Sequence, residues 1–458
     1  MNSTLTLLTA LLLAASASNE SAVAATLTVD ATGRAGFKSI GAAIEKANKG
    51  DTILVKPGTY RETIRPNSDV TLISEKGPVL TSIFVERGGR GVFVDHATNV
   101  SVEGFNIYSV LGAGKPTDGL VNIQNSTNVT MRNCYIHDAP NDADCVKVSD
   151  TCRLLLEACC IWNPGRRGGK ESFQEGMDTR VRDFEITVRG CWFFHTDQGG
   201  DTLLYCKGGC FDILWENNIF GPSAGQGHAN VPVQSGHQNA GAWLDYTPPY
   251  PSGRFVVRNN LFVGLKGEAA FGFQGPDTAL LYNNVFYRNE TEPSLITITD
   301  NPGAAGGPAL NLFCFNNIFA GHGSRVIYRQ RKAPVSAANL KRSHNLYYQF
   351  GGGGDLRVQD ETGSIIGKDP QFVAPAIPVF DFDKGPEQIR RVRDGFKLAA
   401  LSPASGAGID PLQSTGAVHP KAIPEMLKNL EAVPGVRQPP GKRDMGLHAF
   451  SNANSRIP

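Results

Sequence analysis

The sequence predicts an all-β protein folded as a right-handed parallel β-helix, a solenoid with an N-terminal capping helix and an irregular C-terminal strap. The first observation is a repeat in which a corner of Asn-Asn, or of a cysteine, precedes a pair of apolar residues. Successive corners are mostly 24 to 33 residues apart, with one gap of 42 residues. A short strand-like run precedes many corners, and the repeat is lost after about residue 370. No repeat of this size buries its apolar side alone, so the repeats must stack.

The corners identify the rungs of the predicted solenoid. They read Asn133-Cys134, Cys159-Cys160, Gly190-Cys191, Asn217-Asn218, Asn259-Asn260, Asn283-Asn284, Asn316-Asn317 and His344-Asn345. Rungs about 4.8 Å apart would let asparagines of adjacent corners form a hydrogen-bonded ladder. We expect Cys134, Cys160 and Cys191 to fill the same column as small apolar side chains. Nine cysteines cannot all pair within one chain, and the irregular spacing argues against leucine-rich and ankyrin repeats.

The chain divides into three predicted segments. Residues 1–25 resemble a secretory signal, with an early apolar run and small residues ending at Ala25, although no Lys or Arg precedes that run. Residues 26–370 form the β-helix, and a helix over residues 37–47 would cover its first rung. Residues 371–458 are expected to pack along the solenoid. Because the apolar run is too short to span a bilayer, we expect a secreted protein, extracellular or periplasmic.

The charge balance excludes several kinds of partner. The chain has a formal net charge of +1 at pH 7, and 19% of its residues are charged. Such a balance gives no general attraction to nucleic acid or to an anionic membrane surface. We therefore expect neither as a partner, and we expect a monomer. An acidic ligand would have to be bound by a local cluster of charges.

Two phrases of the sequence, together with the rungs, resemble the pectate-lyase-like superfamily of carbohydrate-active β-helices. The first runs from Phe37-Lys38-Ser39-Ile40 to Pro57-Gly58-Thr59-Tyr60, and the second from Asp394-Gly395-Phe396 to Ser402-Pro403. The resemblance extends over roughly residues 27 to 450 and implies the fold. It does not imply one reaction, because this fold hosts lyases, hydrolases, esterases, epimerases and binding domains.

Motifs of particular groups narrow the choice of reaction. The characteristic strings of polygalacturonases, the Gly-Arg-Pro-Trp string of pectin methylesterases and the Arg-x-Pro-x-x-Arg string of common pectate lyases are missing. The chain is more similar to lyases with a lysine base, such as the family-nine pectate lyases that use calcium. The chondroitinase and alginate lyases that pair Lys with Arg are also similar. This resemblance implies an acidic polysaccharide as partner and calcium as cofactor.

Charged residues between positions 141 and 210 predict the site. Counting eleven residues back from three successive corners aligns Ser149, Arg180 and Lys207. Two residues earlier, on the same strand face, come Lys147, Asp178 and Tyr205. Side chains of a strand alternate between its faces, so the intervening residues should face the core: Val146, Val148 and Cys206. Acidic residues come just before these strands: Asp144, Glu175 and Asp201.

This mixture of charges suits β-elimination from a uronate. The proton on C5 becomes acidic once a metal or an Arg neutralises the uronate carboxylate, and a base then removes it. We assign Lys207 as the base and Arg180 as the carboxylate clamp, and we expect Arg180, Lys147 or calcium to lower the pKa of Lys207. Carboxylate oxygens suit calcium, and the expected ligands are Asp144, Glu175, Asp178 and Asp201. His195 or Tyr205 would assist protonation of the leaving oxygen.

Residues outside this patch complete the predicted site. Trp243 lies in the long insertion between two corners and is expected to stack on a sugar ring. Arg166 and Arg167 lie between two rungs and would form a basic rim that gathers a polyanion, although a solvated loop has the same composition.

The same residues allow other interpretations. Acidic and basic residues stacked on successive rungs can form an exposed ladder of salt bridges that contributes little to the stability of the fold. A hydrolase would use paired carboxylates such as Asp178 and Asp201. An epimerase would share the proton abstraction, and a glycan-binding protein would have a groove without turnover. The Lys and Arg content of the patch favours elimination, because hydrolases rely mainly on carboxylates.

Overall fold

A computed structural model describes most of the chain. The described ranges are 24–86, 88–112, 114, 117–165, 174–180, 182–196, 202–207, 209–223, 231–236, 252–291, 294–299, 310–321, 327–331, 340–350, 358, 361–411 and 443–447. Residues 1–23, which carry most of the predicted secretory signal, lie outside them. None of the helices in the described ranges is long and apolar enough to cross a membrane.

Three sheets of parallel strands wrap around one apolar core, which confirms the predicted parallel β-helix. Sheet A contains β1 (Thr26–Val29), β2 (Thr52–Val55), β4 (Thr71–Ser74), β7 (Thr98–Glu103), β10 (Thr127–Arg132), β13 (Cys152–Glu157), β16 (Phe184–Arg189), β19 (Cys210–Glu216), β22 (Ser252–Arg258), β26 (Pro276–Tyr282), β30 (Leu310–Phe315) and β33 (Leu340–Ser343). Sheet B contains β3 (Gly58–Tyr60), β5 (Thr81–Val85), β8 (Asn106–Ser109), β11 (Tyr135–His137), β14 (Cys160–Trp162), β17 (Trp192–Phe194), β20 (Ile219–Phe220), β23 (Leu261–Val263), β27 (Val285–Tyr287), β31 (Ile318–Ala320), β34 (Leu346–Tyr348) and β35 (Ile365–Ile366).

Sheet C positions the candidate site. It contains β6 (Val92–Asp95), β9 (Gly119–Gln124), β12 (Asp144–Ser149), β15 (Glu175–Arg180), β18 (Thr202–Cys206), β21 (Val233–Ser235), β25 (Phe271–Gln274), β29 (Ile296–Thr299) and β32 (Tyr328–Arg331). A further pair joins β24 (Lys266–Gly267) and β28 (Glu290–Thr291). Each rung between β6 and β34 contributes one strand to each large sheet, so equivalent positions of successive rungs form columns along the solenoid.

The predicted asparagine ladder is present at the corner between sheets A and B. Asn218 Nδ2 donates to Asn260 Oδ1 at 3.1 Å, and Asn260 donates in the same way to Asn284 at 3.0 Å. The ladder continues from Asn284 to Asn317 at 3.0 Å and from there to Asn345 at 3.1 Å. All five side chains are buried. A buried amide needs a partner for each polar atom, and the next rung supplies it.

The cysteine column that precedes the ladder differs from the prediction by one residue. It contains Cys134, Cys159 and Cys191, and the Cys159 backbone N–H donates to Cys191 Sγ at 3.5 Å. Cys160 instead pairs with Tyr135 and packs on the outer side of sheet B. The prediction that Cys160 belongs to the column is therefore wrong. Adjacent strand residues face opposite sides, so the Cys159-Cys160 doublet gave two candidates for one interior position.

The predicted capping helix covers the first rung as α1 (Ile40–Lys46). Ser39 is its N-cap, and Ser39 Oγ accepts from the Ala42 backbone N–H at 3.3 Å. Ile40, Ala43 and Ile44 are buried against the solenoid core. The helical spacing read from the sequence thus places the apolar face on the open end of the solenoid.

The described part of the C-terminal extension packs on the outer face of sheet B. It includes a 3₁₀ turn (Phe382–Lys384) and α2 (Gln388–Asp394). Its buried apolar residues in this contact are Ile389, Phe396, Ala404, Met445 and Leu447. They join a cluster that contains Trp162 and Trp192 of the solenoid. Sheet B therefore has a covered outer face.

Arg393 of α2 fixes the extension to the corner between sheets A and B. Arg393 is buried, its Nη1 donates to the Asn259 backbone carbonyl at 2.7 Å, and its Nη2 donates to Asn217 Oδ1 at 3.1 Å. We expect Arg393→Met to lower the free energy of unfolding by about 1–3 kcal/mol, because it leaves buried acceptors unpaired. Urea unfolding and limited proteolysis would measure this. Arg390→Met, at a mostly exposed position of the same helix, is the control, and equal effects of both variants would contradict the anchoring role.

Candidate active site

The outward column of sheet C follows the predicted register. Lys147 pairs with Asp178, Asp178 pairs with Tyr205, and Ser149 pairs with Arg180. The Lys207 backbone N–H donates to the Thr179 carbonyl at 2.7 Å, one rung away. The intervening residues are in the core, as expected: Val146, Val148 and Cys206. The structure therefore brings the predicted charged residues to one face of three successive rungs.

Counting eleven residues back from each corner gives the correct register at Ser149 only because two differences between the rungs cancel. The true corner of the second rung is Cys159, one residue before the Cys160 used in the count. The turn between sheets C and A is also one residue shorter in that rung. Cys152 lies three positions after Ser149, whereas its partner Phe184 lies four positions after Arg180. The two differences cancel at Ser149.

Two lysines and three carboxylates form a lysine–carboxylate cluster on this face: Asp144, Lys147, Glu175, Asp178 and Lys207. Lys207 Nζ lies 2.9 Å from Asp178 Oδ2 and 3.0 Å from Glu175 Oε1. Lys147 Nζ lies 2.9 Å from Asp144 Oδ2 and also contacts Asp178 Oδ2. One carboxylate oxygen of Asp178 thus bridges both ammonium groups.

Close packing of neighbouring strands holds the carboxylates in place. A Cβ on Gly176 would lie 2.5 Å from the Leu203 backbone carbonyl, so only glycine allows β15 and β18 to approach this closely. This approach occurs between Glu175 and Asp178, the two carboxylates that Lys207 bridges. The Glu175 backbone N–H also donates to Asp144 Oδ1 at 2.9 Å, and this hydrogen bond orients the Asp144 carboxylate.

The cluster is buried although it lies on the outward side of the sheet. Asp178 is 0% exposed, Asp144 is 1% exposed, and the Lys207 side chain is 19% exposed. An exposed salt-bridged ladder, one of the alternatives left open by the sequence, therefore does not describe these residues. Buried charges interact more strongly than charges at the surface, and a buried charge without a partner destabilises the folded protein.

The ionisation of the cluster follows from its excess of carboxylates. Burial and the neighbouring Asp144 and Asp178 raise the pKa of Glu175 well above its usual range. Burial would also raise the pKa of Asp178, but Lys147 and Lys207 outweigh it and lower that pKa to about 2. Of these two carboxylates, Glu175 therefore takes up a proton more readily, and Asp178 stays ionised to lower pH.

The direction of the lysine pKa shift differs from the expectation. Burial lowers the pKa of Lys207, but Asp178 and Glu175 outweigh burial, so the net shift is upward. The pKa of Lys147 is also raised, because Asp144 and Asp178 outweigh both burial and the opposing charge of Arg180. Lys147 does lower the pKa of Lys207, but the expected net lowering is wrong. The carboxylates that touch the ammonium group dominate because they are closest.

Sheet A carries a charged column that illustrates a purely structural ladder. Its outward residues alternate in sign: Glu103, Arg132, Glu157, Arg189, Glu216 and Arg258. Arg132 Nε lies 2.7 Å from Glu157 Oε2, and Arg258 Nε lies 2.9 Å from Glu216 Oε2. Each acid has a base on the adjacent rung, so the charges balance. The cluster on sheet C has three carboxylates and two ammonium groups among the described residues, so its members do not alternate one to one as the ladder does.

The excess carboxylate fits a bound cation. Asp144, Glu175 and Asp178 each offer an oxygen, and the three oxygens lie within 4.8 Å of one another. Asp178 Oδ1 is buried without a hydrogen-bond partner in the described part of the chain. Carboxylate oxygens are the ligands that calcium prefers. The described residues therefore fit the predicted calcium, and the fourth expected ligand, Asp201, lies outside the described ranges.

Of the remaining predicted site residues, Tyr205 and Arg180 lie beside the cluster, and the others lie at the end of β17 or outside the described ranges. Tyr205 lies beside the cluster, with its ring centroid 4.8 Å from Lys207 Nζ. Arg180 is half-buried, two residues after Asp178 on the same strand face. His195 is buried at the end of β17, where burial lowers its pKa to about 4, and none of the contacts described for the cluster includes it. Three predicted residues lie outside the described ranges: Arg166, Arg167 and Trp243.

The sequence analysis missed the residues that extend this column towards the N-terminus. Asn122 pairs with Lys147, and its side-chain oxygen has no hydrogen-bond partner among the described residues. Phe93 pairs with Asn122, and the neighbouring bridge of Ile64 with Val92 places Arg65 beside Phe93. Counting eleven residues back from the corner Cys134 leads to Ile123, a core residue next to Asn122, so the count misses Asn122 by one position.

Comparison with known proteins supports the fold class. Residues 69–232 match the family described as "Right handed beta helix region", which confirms the right-handed β-helix. No curated protein sequence matches the chain.

Several solved structures have similar folds. Pectate lyase Pel9A is 14% identical with a TM-score of 0.44, and the match covers 84% of this chain and 92% of that one. A rhamnogalacturonan lyase is 15% identical with a TM-score of 0.49, covering 81% and 99%. The GH136 lacto-N-biosidase from Eubacterium ramulus is 10% identical with a TM-score of 0.49, covering 75% and 68%. At these identities the likeness concerns the fold alone.

Proposed function

We propose that this protein is a secreted polysaccharide lyase that cleaves a uronate-containing polysaccharide by β-elimination. The observation that supports this proposal is the convergence of Lys207 and Lys147 on Asp178 at the outward face of sheet C. An amine can serve as the base, and an arginine and an acidic cluster that fits a cation are placed beside it. These are the groups that elimination from a uronate requires.

The elimination step assigns one task to each residue. Arg180 pairs with the uronate carboxylate, which makes the C5 proton acidic. Lys207 acts from its neutral form, after its own ammonium proton has been lost: Nζ takes the C5 proton, the electron pair forms the C4–C5 double bond, and the bond from C4 to the leaving oxygen breaks. Tyr205 gives the leaving oxygen a proton, because its ring lies beside Lys207. Lys147 holds Asp178 from the opposite side and so keeps Lys207 in position.

Calcium is the proposed cofactor, and Asp144, Glu175 and Asp178 are the residues that would hold it. When bound, it would supply positive charge opposite the uronate carboxylate and replace the two ammonium groups as counterion of the three carboxylates.

We expect calcium to stabilise the folded protein. At a concentration of 100 Kd it would raise the free energy of unfolding by about 2.7 kcal/mol, as measured by urea unfolding with calcium and with a chelator. Asp178→Asn should abolish this gain. Asp212→Asn, which removes a carboxylate from the exposed face of sheet A, should retain it. Identical unfolding curves with calcium and with chelator would show that the lysines alone satisfy the carboxylates.

The proposed reaction is tested by absorbance at roughly 235 nm, where the unsaturated uronate left by proton abstraction absorbs. The substrates are pectate, alginate and glycosaminoglycans, each with calcium and with chelator. A rise on one of them is the expected result. New reducing ends without absorbance would replace the lyase with a glycoside hydrolase. A change of sugar configuration without cleavage would indicate an epimerase, and binding without any product a glycan-binding protein.

A further inference from the structure

Two arginines sandwich a phenylalanine at the N-terminal end of the same column of sheet C. The guanidinium carbon of Arg65 lies 4.6 Å from the centroid of the Phe93 ring, and that of Arg90 lies 4.5 Å from it. Phe93 is 8% exposed, Arg65 is exposed and Arg90 is half-buried. A guanidinium that stacks on a ring keeps its N–H groups in the plane, where they can bind a carboxylate with two hydrogen bonds.

The charge of this pair is only partly compensated. Arg90 Nη2 lies 3.3 Å from Asp118 Oδ2, and the Asp118 side chain is 58% exposed, so the ion pair is weak. Arg90 Nε is buried and has no hydrogen-bond partner among the described residues. Within the same part of the chain, no ion pair is formed by Arg65. Among the described residues one acid therefore faces two bases, and the exposed Arg65 guanidinium offers donors to an anion.

The pair lies in line with the lysine–carboxylate cluster. Phe93 pairs with Asn122, and Asn122 pairs with Lys147, so Phe93 is two rungs from the cluster. Two rungs correspond to roughly 10 Å, about the length of a disaccharide unit. A polysaccharide that runs along the column from the cluster would thus place a later sugar at the arginine pair.

We propose that Arg65 and Arg90 form a carboxylate-binding subsite for a second uronate of the same chain, three to four rungs from the reacting sugar at Arg180 and Lys207. This inference rests on the proposed function. The ligand is an acidic sugar because planar guanidinium groups bind carboxylates with paired hydrogen bonds, and the proposed substrate carries a carboxylate on each uronate. The subsite makes the enzyme prefer chains long enough to reach from the cluster to the arginines.

The test is the binding of size-defined acidic oligosaccharides to the full chain by calorimetry. The protein carries Lys207→Met, so that no substrate is consumed. Adding Arg65→Met and Arg90→Met together is expected to weaken binding of a hexasaccharide about 10-fold or more, because charge-assisted hydrogen bonds are lost. Binding of a disaccharide should stay unchanged. Methionine retains contact with the Phe93 ring, so the fold is expected to persist, and circular dichroism verifies it.

Arg61→Met is the matched control. Arg61 stacks on Phe84 with its guanidinium carbon 4.8 Å from the ring centroid, but on sheet B. It should leave hexasaccharide affinity unchanged. Equal affinities of the double variant and the control, or no binding of any acidic oligosaccharide, would overturn the subsite.

Turnover separates this inference from the proposed function. In protein with Lys207 intact, the double variant should raise KM for the polymer with little change in kcat, because the contact is remote from the bond that breaks. Arginine-dependent binding without any unsaturated product would support the subsite and overturn the lyase. Unsaturated product with arginine-independent binding would support the lyase and overturn the subsite.

Discussion

Replacing Lys207 with methionine is expected to reduce the rate of uronate elimination by about 10²- to 10⁴-fold, the usual contribution of a positioned general base. Methionine is one atom shorter than lysine, keeps the rest of the unbranched chain and has no basic nitrogen. The loss should fall on kcat more than on KM, because proton transfer occurs only in the transition state. The measurement is the rate of absorbance increase with the polymer that the unsubstituted protein cleaves.

Lys207→Arg distinguishes a base from a structural cation. Arginine retains the positive charge opposite Asp178 and Glu175, but it does not lose its proton in proteins. If Lys207 is the base, Lys207→Arg is as inactive as Lys207→Met. Recovery of activity with arginine would assign Lys207 to charge neutralisation and would remove it from the proton transfer. Lys341→Met, at an exposed position of sheet A, should change neither kcat nor KM.

Replacing Asn284 with alanine is expected to lower the free energy of unfolding by about 3 to 6 kcal/mol, because several buried groups lose their partners at once. Asn284 Nδ2 donates to the Val257 carbonyl at 2.9 Å and to Asn317 Oδ1 at 3.0 Å. Asn284 Oδ1 accepts from the Asn260 backbone N–H at 2.9 Å and from its side chain at 3.0 Å. Urea unfolding followed by circular dichroism would measure the loss.

Cys191→Asn is the control for this prediction, because it extends the ladder by one rung. The Cys191 backbone N–H already donates to Asn218 Oδ1 at 2.9 Å, and Cys191 Sγ donates to the Leu156 carbonyl at 3.5 Å. An asparagine there would find the partners that the ladder residues use, so we expect a change of at most about 1 kcal/mol. A loss of less than about 1 kcal/mol for Asn284→Ala would show that the ladder contributes no stability of its own.

The solenoid could be predicted from the sequence because its determinants are local and periodic. A corner cysteine or asparagine recurs with each rung from Cys134 to Asn345, and strand alternation then assigns each neighbour to the core or the outside. This rule aligns Lys147, Asp178 and Tyr205 from the sequence alone. The corner rule gave the wrong residue at Cys160. Two cysteines are adjacent there, and only the packing shows that Cys159 faces inward.

The ionisation of the site could not be predicted in the same way. Aligning Lys207 with Asp178 does not reveal that one carboxylate oxygen touches both ammonium groups, or that the cluster is buried. These two facts reverse the expected direction of the Lys207 pKa shift. His195 was expected near the reaction, yet it lies at the end of β17, where burial alone governs its pKa.

The sequence by itself determined the parallel β-helix, its capping helix, its asparagine ladder and the face on which the charged residues lie. Each of these depends on spacing along the chain, which a repeat writes into the sequence many times. Only the tertiary structure decided which charges touch, how deeply they are buried, and that Arg65 and Arg90 meet across Phe93. Those properties depend on distances between residues of different rungs, and electrostatic and hydrogen-bond energies change steeply over such distances.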